Sequence, residues 1–499
     1  MGAIFYMTDT TKKAGKFLVI INVISSGGQV LLIGLVYFFL YRILLKSLGV
    51  ELLGVWSVVL STSSLANLAN FGVADSVIRF VALYSKEGDK AKMRELIFTA
   101  SLFLLGLFLL IGCIIYPFAG LILNHMIPAK YIADAMLILP YSLLCLVINA
   151  VNGVFSSVLD GLQKNYIRSL LFSSSSLLLL GATYFLVPHY GLQGVAFAQV
   201  AQSLFTLITC MCFVIAQTAY NPLRWGWNKA IFKQIFSYGM KFQFISLANM
   251  LNDPVTKILL GKFGGMAFVG YYEMANRLIM QARGVIINST QSLVPVMVNL
   301  DNDVEGVQKF YKRIFSNVLF FSMASTAAII LGGRIVSALW INSYQPVFYY
   351  TLVVLALSLL INLFTTPAYF YYMAKANLGV LITNHLILGF TNAAAAAVLG
   401  FYFGGAGVIA GWVIAIVLST IYMLQHFNKI YGLTYGRLIF RRDVMYAIVL
   451  FVLMAFGVGN FVKSNVIITD IALLVLAFAT VAIYFVKFKV KDILRSGDV

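Results

Sequence analysis

Apolar runs of roughly 20 residues follow one another along almost the whole chain, separated by short polar stretches rich in lysine, arginine and glycine. A helix of that length covers about 30 Å, the thickness of a bilayer's hydrocarbon core. Helices suit that medium because lipid offers no partners to free backbone N–H and C=O groups. The strands of a membrane barrel would instead alternate over about ten residues at a time, and no such alternation recurs. The pattern predicts an all-α integral membrane protein of about 14 spans, at 17–41, 52–76, 96–118, 132–158, 167–187, 193–216, 237–260, 268–296, 314–332, 347–373, 379–402, 406–426, 444–462 and 467–486. The first run follows Lys12, Lys13 and Lys16, exceeds the core of a cleaved signal and has no Ala-x-Ala site. It reads as a spanning helix.

Composition agrees. The 499 residues are 61% hydrophobic and 10% charged, with a mean hydropathy of +0.93, whereas soluble domains carry about 25% charge. The formal net charge of +18 is distributed unevenly about the spans. With the N-terminus inside, 24 basic residues fall on that side; only Arg42, Lys46, Lys130, Lys257, Lys262, Arg334 and Lys463 fall on the other. Arg79, Lys241, Arg277 and Arg283 lie within helices. The positive-inside rule therefore puts both termini and the polar stretch 217–236 in the cytoplasm. Charge dispersed over short loops argues against a nucleic-acid partner, while a basic inner face attracts anionic membrane lipids.

An internal repeat organises the helices. Lys46-Ser-Leu-Gly49-Val-Glu-Leu-Leu-Gly54-Val-Trp56 matches Lys262-Phe-Gly-Gly265-Met-Ala-Phe-Val-Gly270-Tyr-Tyr272 at an offset of 216 residues. Gly191-Leu-Gln-Gly194-Val195 matches Gly404-Gly-Ala-Gly407-Val408 at an offset of 213. Two sets of six helices running in the same direction follow, a parallel repeat related about the membrane normal. The expected domains are 1–216, a six-helix bundle; 217–236, an interfacial linker; 237–426, a second six-helix bundle; and 427–499, a basic linker, helices 13 and 14 and a cytoplasmic tail. Tryptophan and cationic residues in the first linker suit the head-group interface, where a short surface helix is expected.

Cys113, Cys145, Cys210 and Cys212 lie in apolar segments, and the histidines at 125, 189, 385 and 426 are scattered. That excludes a metal-ligand cluster. No Gly-rich loop ending in Gly-Lys-Ser/Thr occurs, and no polar segment is long enough for a nucleotide-binding module. No cofactor is expected, which leaves a proton or sodium gradient, or the membrane potential, to drive any transport.

Leu48-Gly49-x4-Gly54-x-Trp56 leading to Asn70-Phe71-Gly72-Val73-Ala74-Asp75-Ser-Val-Ile-Arg79-Phe80 resembles the second-helix region of bacterial polysaccharide flippases. Tyr238-Gly239-Met-Lys241-Phe, Val269-Gly270-Tyr-Tyr272 and Leu293-Val294-Pro295 resemble the start of their second half. These are Wzx-type O-antigen and exopolysaccharide exporters of the multidrug/oligosaccharidyl-lipid/polysaccharide exporter superfamily. The resemblance covers the chain in length, helix number and six-plus-six layout. It implies two bundles around an alternating-access cavity in the bacterial inner membrane. The implied cargo is undecaprenyl-diphosphate-linked oligosaccharide, moved from the inner to the outer leaflet for surface polysaccharide assembly alongside other assembly proteins. A peptidoglycan-precursor (lipid II) flippase shares fourteen helices and the need for cavity arginines. A drug or cation antiporter of the superfamily typically has twelve helices. A membrane polymerase or ligase would show a large outer catalytic loop, and the longest here is about 117–131, so no enzyme is expected.

Charge inside a membrane is costly and by default functional. Arg283, deep in helix 8, is the first candidate to meet the diphosphate, with Arg277, Lys241 and Arg79 marking a path. Asp253, Pro254 and Lys257 in helix 7 are candidates for ion coupling or gating. Asp75, four residues before Arg79, and Glu273, four before Arg277, join them, although each pair is also explained as a helix-end or structural ion pair. Asn22, Gln29, Asn67, Asn384 and His385 are candidate sugar contacts, as are Asn70, Asn149, Asn152 and Asn392. Inter-helix hydrogen bonds account for most such residues.

Overall fold

The computed structural model describes residues 9–65, 72–218, 220–222, 224–237, 239, 252–291, 304–375, 377–432, 446, 449–454 and 467–484. Asn67, Asn70, Lys241 and most of the thirteenth span lie outside these residues, as do the side chains of Asn22 and Asp75. The chain is a multi-pass, all-helical membrane protein. The helices are α1 (Asp9–Leu65), α2 (Val73–Glu87), α3 (Lys90–Met126), α4 (Ile132–Gly161), α5 (Asn165–Thr218), α6 (Asn252–Gly264), α7 (Met266–Gln291), α8 (Val304–Ile341), α9 (Pro346–Leu363), α10 (Thr366–Ala374), α11 (Leu378–Tyr431) and α12 (Ile467–Tyr484).

Three of these are double spans. α5 and α11 each have 54 residues, about 80 Å if straight, against about 30 Å of hydrocarbon. A single glycine breaks each: Gly49 in α1 (φ 79, ψ 171), Gly191 in α5 (φ 54, ψ −130) and Gly404 in α11 (φ 63, ψ −146). Those angles strain any side chain with a Cβ. The sequence matches recur in the backbone, since Gly191 and Gly404 share nearly the same conformation and Gly265 (φ 83) repeats the positive φ of Gly49.

The described residues fall into two compact units. The first comprises residues 1–48, 59–125 and 129–250. Here the second span differs from the expected 52–76: α1 runs to Leu65, Gly72 adopts a left-handed conformation (φ 63), and α2 continues to Glu87 as an amphipathic helix. The linker packs on α2 and α3. Ser76 Oγ donates to Ile235 O (2.9 Å), Tyr84 OH to Gln234 Oε1 (3.2 Å), and Asn228 Nδ2 to Glu95 Oε2 (2.7 Å). Asn228 Oδ1 also caps a short helix at 229–237 by accepting from Ala230 N and Ile231 N. Trp225 stays 74% exposed while its ring meets Phe98 edge-on at 5.3 Å, as an interfacial tryptophan should.

The second unit comprises 49–58, 126–128 and 251–499. The expected tenth span is two helices, α9 and α10, because Pro367 in the first turn of α10 cannot continue a preceding helix. The ninth span extends to Ile341 rather than ending at 332. Arg334 therefore lies inside α8, buried, with Nε 3.4 Å from Asp470 Oδ2 of α12. Lys257 is buried as well. Both belong to the seven cations expected on the outer side, and the structure buries them within helices.

Within this unit the segment 49–58 meets α7 through glycines that the 216-residue offset makes equivalent. A Cβ on Gly54 would stand 2.0 Å from Met266 O and 3.2 Å from Gly270 N, and one on Gly270 2.3 Å from Val50 O. Backbone touches backbone there, so no flexible side chain can yield. Gly54→Ala is expected to destabilise by about 1–3 kcal/mol or more, read as a lower melting temperature of the solubilised protein. Gly28→Ala, whose Cβ meets nothing within 4 Å, should leave the melting temperature unchanged or slightly raised.

Candidate functional site

Apart from the buried Arg334–Asp470 pair, the charged candidates of the second unit fall in two places. The first joins α6, α7 and the segment 49–58. Glu273 is 1% exposed and accepts three contacts: Ser57 Oγ at 2.9 Å, Lys257 Nζ at 2.7 Å and Arg277 Nε at 2.7 Å. Lys257 Nζ also lies 2.8 Å from Asp253 Oδ2. The other oxygen of Asp253 accepts from Tyr272 OH (3.2 Å) and Asn276 Nδ2 (3.1 Å). Helical spacing explains half of this, because Asp253–Lys257 and Glu273–Arg277 are both i,i+4 pairs. The other half is tertiary, with Lys257 shared between two carboxylates on two helices. Two acids and two cations sum to zero, which makes the cost of burial bearable. Next to it, Asn392 of α11 donates to Thr256 Oγ1 (2.9 Å) and Asn252 O (3.3 Å), tying α11 to α6.

The second place has an opposite character. Arg283 lies ten residues beyond Glu273 on α7, about 15 Å along the axis, within electrostatic range of Tyr369 on α10 and His385 on α11. The rings of Tyr369 and His385 meet edge-on at 5.7 Å. His385 is 8% and Asn384 7% exposed. Yet Arg283 Nε, both ring nitrogens of His385 and Asn384 Oδ1 are buried without a hydrogen-bond partner among the described residues. Buried polar atoms are nearly always paired, so these four, like Asn392 Oδ1 and Thr420 Oγ1 of the same unit, are open to a polar ligand. Arg283 offers donors, and Asn384 and His385 of α11 offer further polar atoms, a chemistry suited to an anion that also carries hydroxyls.

The remaining candidates lie elsewhere. Arg79 is exposed on α2 in the first unit, its Cζ 5.9 Å from the Phe80 ring centroid. Gln29 is half-buried in α1, and Asn152 is buried in α4. Ser57, Tyr272, Asn276 and Tyr369 join these places without being among the sequence candidates. For Ser57 a signal existed, since it stands 216 residues from Glu273, the repeat's own offset.

The model of the family described as polysaccharide biosynthesis protein matches residues 19–301. That is more than half of the chain, which therefore belongs to this family. In fold it is similar to the inward closed conformation of the lipid II flippase MurJ, with a TM-score of 0.68 at 16% identity over 94% of this chain and 99% of that one. It is similar also to an inward-facing multidrug resistance MATE family transporter of the MOP superfamily, with a TM-score of 0.68 at 17% identity, covering 82% of this chain and 98% of the other. A MOP superfamily transporter from Pyrococcus furiosus matches with a TM-score of 0.59 at 16% identity, over 83% and 96% of the two chains. Among curated proteins none matches. The fold is that of the MOP transporters.

Proposed function

We propose that the protein is an alternating-access flippase moving undecaprenyl-diphosphate-linked oligosaccharide from the inner to the outer leaflet of the bacterial inner membrane, with both termini cytoplasmic. The family supports polysaccharide assembly, and the fold supports a transporter. The observation that carries the substrate class is Arg283, half-buried with its Nε unsatisfied and in electrostatic range of His385, whose ring nitrogens are unsatisfied too. A diphosphate crossing hydrocarbon needs positive partners, and a guanidinium grips phosphate oxygens in two places. Sugar hydroxyls, donors and acceptors at once, suit Asn384 and His385. In this reading Asp253, Lys257, Glu273 and Arg277 are the candidate coupling site, where proton or sodium entry would unbalance a neutral network. Drug antiport fits less well, because a half-buried arginine with no described carboxylate partner would repel a cationic drug.

A second reading, export of lipid II, is favoured by the MurJ likeness extending over 94% of the chain. Both cargoes are polyprenyl diphosphates, so the experiment must tell the sugars apart. A deletion strain should accumulate lipid-linked oligosaccharide on the cytoplasmic side, read by mass spectrometry of extracted lipids, and should grow with an intact cell wall. Accumulated lipid II with cell lysis would favour the second reading. Unchanged lipid-linked glycans of either kind would defeat both.

A further inference from the structure

The first unit carries a groove of about 520 Å³ between α1 and α5, well away in sequence from Arg283 and the Glu273 network. Phe39 and Arg42 of α1 and Leu177, Leu180, Gly181 and Tyr184 of α5 line it. Arg42 and Tyr184 are both exposed, and no carboxylate among the described residues pairs with Arg42. Both belong to apolar spans, so the groove opens toward lipid and its lining is hydrocarbon-like except at the one cation.

The cation is not placed at random along the groove. Arg42 precedes the helix break at Gly49 by seven residues, and Tyr184 precedes that at Gly191 by the same number, about 10 Å or two turns in each case. Gly191 is level with Leu48 of α1, since a Cβ on Gly191 would meet Leu48 Cδ2 at 3.9 Å. Arginine and tyrosine thus share the end near the breaks, within reach of the head-group layer by extension of the arginine side chain. Phe39 and Leu177 lie one to two turns deeper. Gly181 widens the channel between them, with nothing within 4 Å of where its Cβ would be.

From this polarity we infer that the groove is a binding site for one anionic diacyl phospholipid of the leaflet nearest Gly49 and Gly191. Its phosphodiester sits on Arg42, with Tyr184 OH as a second donor, and one acyl chain lies along Phe39, Leu177 and Gly181. With the N-terminus cytoplasmic this is the outer leaflet. A guanidinium–phosphate contact needs no partner acid, which accounts for an unpaired arginine on an apolar face.

Native mass spectrometry of the purified full-length protein, titrated separately with phosphatidylglycerol and phosphatidylethanolamine, tests the site. The protein should retain phosphatidylglycerol in preference to phosphatidylethanolamine. Arg42→Gln should weaken phosphatidylglycerol retention about tenfold, as expected for loss of one charge-assisted contact. Gly181→Leu fills open space within a helix, so it should keep the melting temperature while expelling the lipid. Equal retention by the wild type and both variants would overturn the proposal. So would displacement of phosphatidylglycerol by undecaprenyl phosphate at a lower concentration, which would make the groove a site for cargo tails.

Discussion

Replacing Arg283 by alanine is expected to abolish glycan export while the protein still accumulates in the membrane and melts no earlier than the wild type. The expectation rests on what surrounds the side chain. A structural arginine in a membrane is held by carboxylates or carbonyls, as Arg277 is by Glu273. Arg283 Nε instead has no partner among the described residues, and the titratable groups that feel its charge, Tyr369 and His385, supply no carboxylate. On insertion scales an arginine at a helix centre costs about 2.5–3.5 kcal/mol, so its removal relieves the fold rather than harming it. The loss falls on the cargo, which forfeits charged hydrogen bonds worth about 1.5–3 kcal/mol each. Arg283→Lys keeps the charge but loses the planar fork, and part of the export should survive. His385→Ala should reduce export less than Arg283→Ala, since it removes a neutral neighbour. Lipid-linked glycan measured by mass spectrometry, with membrane abundance beside it, reads all three. Normal export from the alanine variant would end the diphosphate role. An alanine variant that fails to accumulate would show that Arg283 holds helices together.

The spans and their doubling were legible because they rest on local chemistry: apolar length sets a span, and a glycine at positive φ ends it. Gly49, Gly191, Gly265 and Gly404 are sequence matches of the repeat and all take a positive φ. The i,i+4 pairs were legible for the same reason, since helix periodicity alone brings Asp253 to Lys257 and Glu273 to Arg277. Contacts between distant segments were not. Nothing local tells that Lys257 bridges to Glu273, that Tyr369 comes beside His385, or that Arg334 is buried against Asp470. Arg334 reads as a loop residue because glycines at 332 and 333 suggest a helix end; the helix continues because the arginine finds its carboxylate on α12. Ser57 lies between these cases. Its place beside Glu273 follows from the repeat offset only if equivalent positions touch, and Gly54 with Gly270 show that they do.

Glu273→Ala is expected to destabilise the protein by about 3–5 kcal/mol, the loss that follows removal of one partner from a buried ion pair. Glu273 is the centre of the network because it holds both Lys257 and Arg277. Without it Lys257, whose side chain is 6% exposed, keeps only Asp253, and one positive charge goes uncompensated. Arg277, about a third exposed, can turn outward, so most of the loss falls on Lys257. The companion change Lys257→Met should restore much of the stability, because an apolar residue no longer requires a counter-charge. The double variant would then melt nearer the wild type than Glu273→Ala does, a coupling that separates charge imbalance from a simple cavity. Glu273→Gln divides fold from function. It preserves shape and the hydrogen bond from Ser57, so it should accumulate better than the alanine variant; if the network also couples transport to an ion, it should still fail to export. Export at the wild-type rate by a stable Glu273→Gln protein would confine this network to holding α6, α7 and the 49–58 segment together, and coupling would have to lie elsewhere.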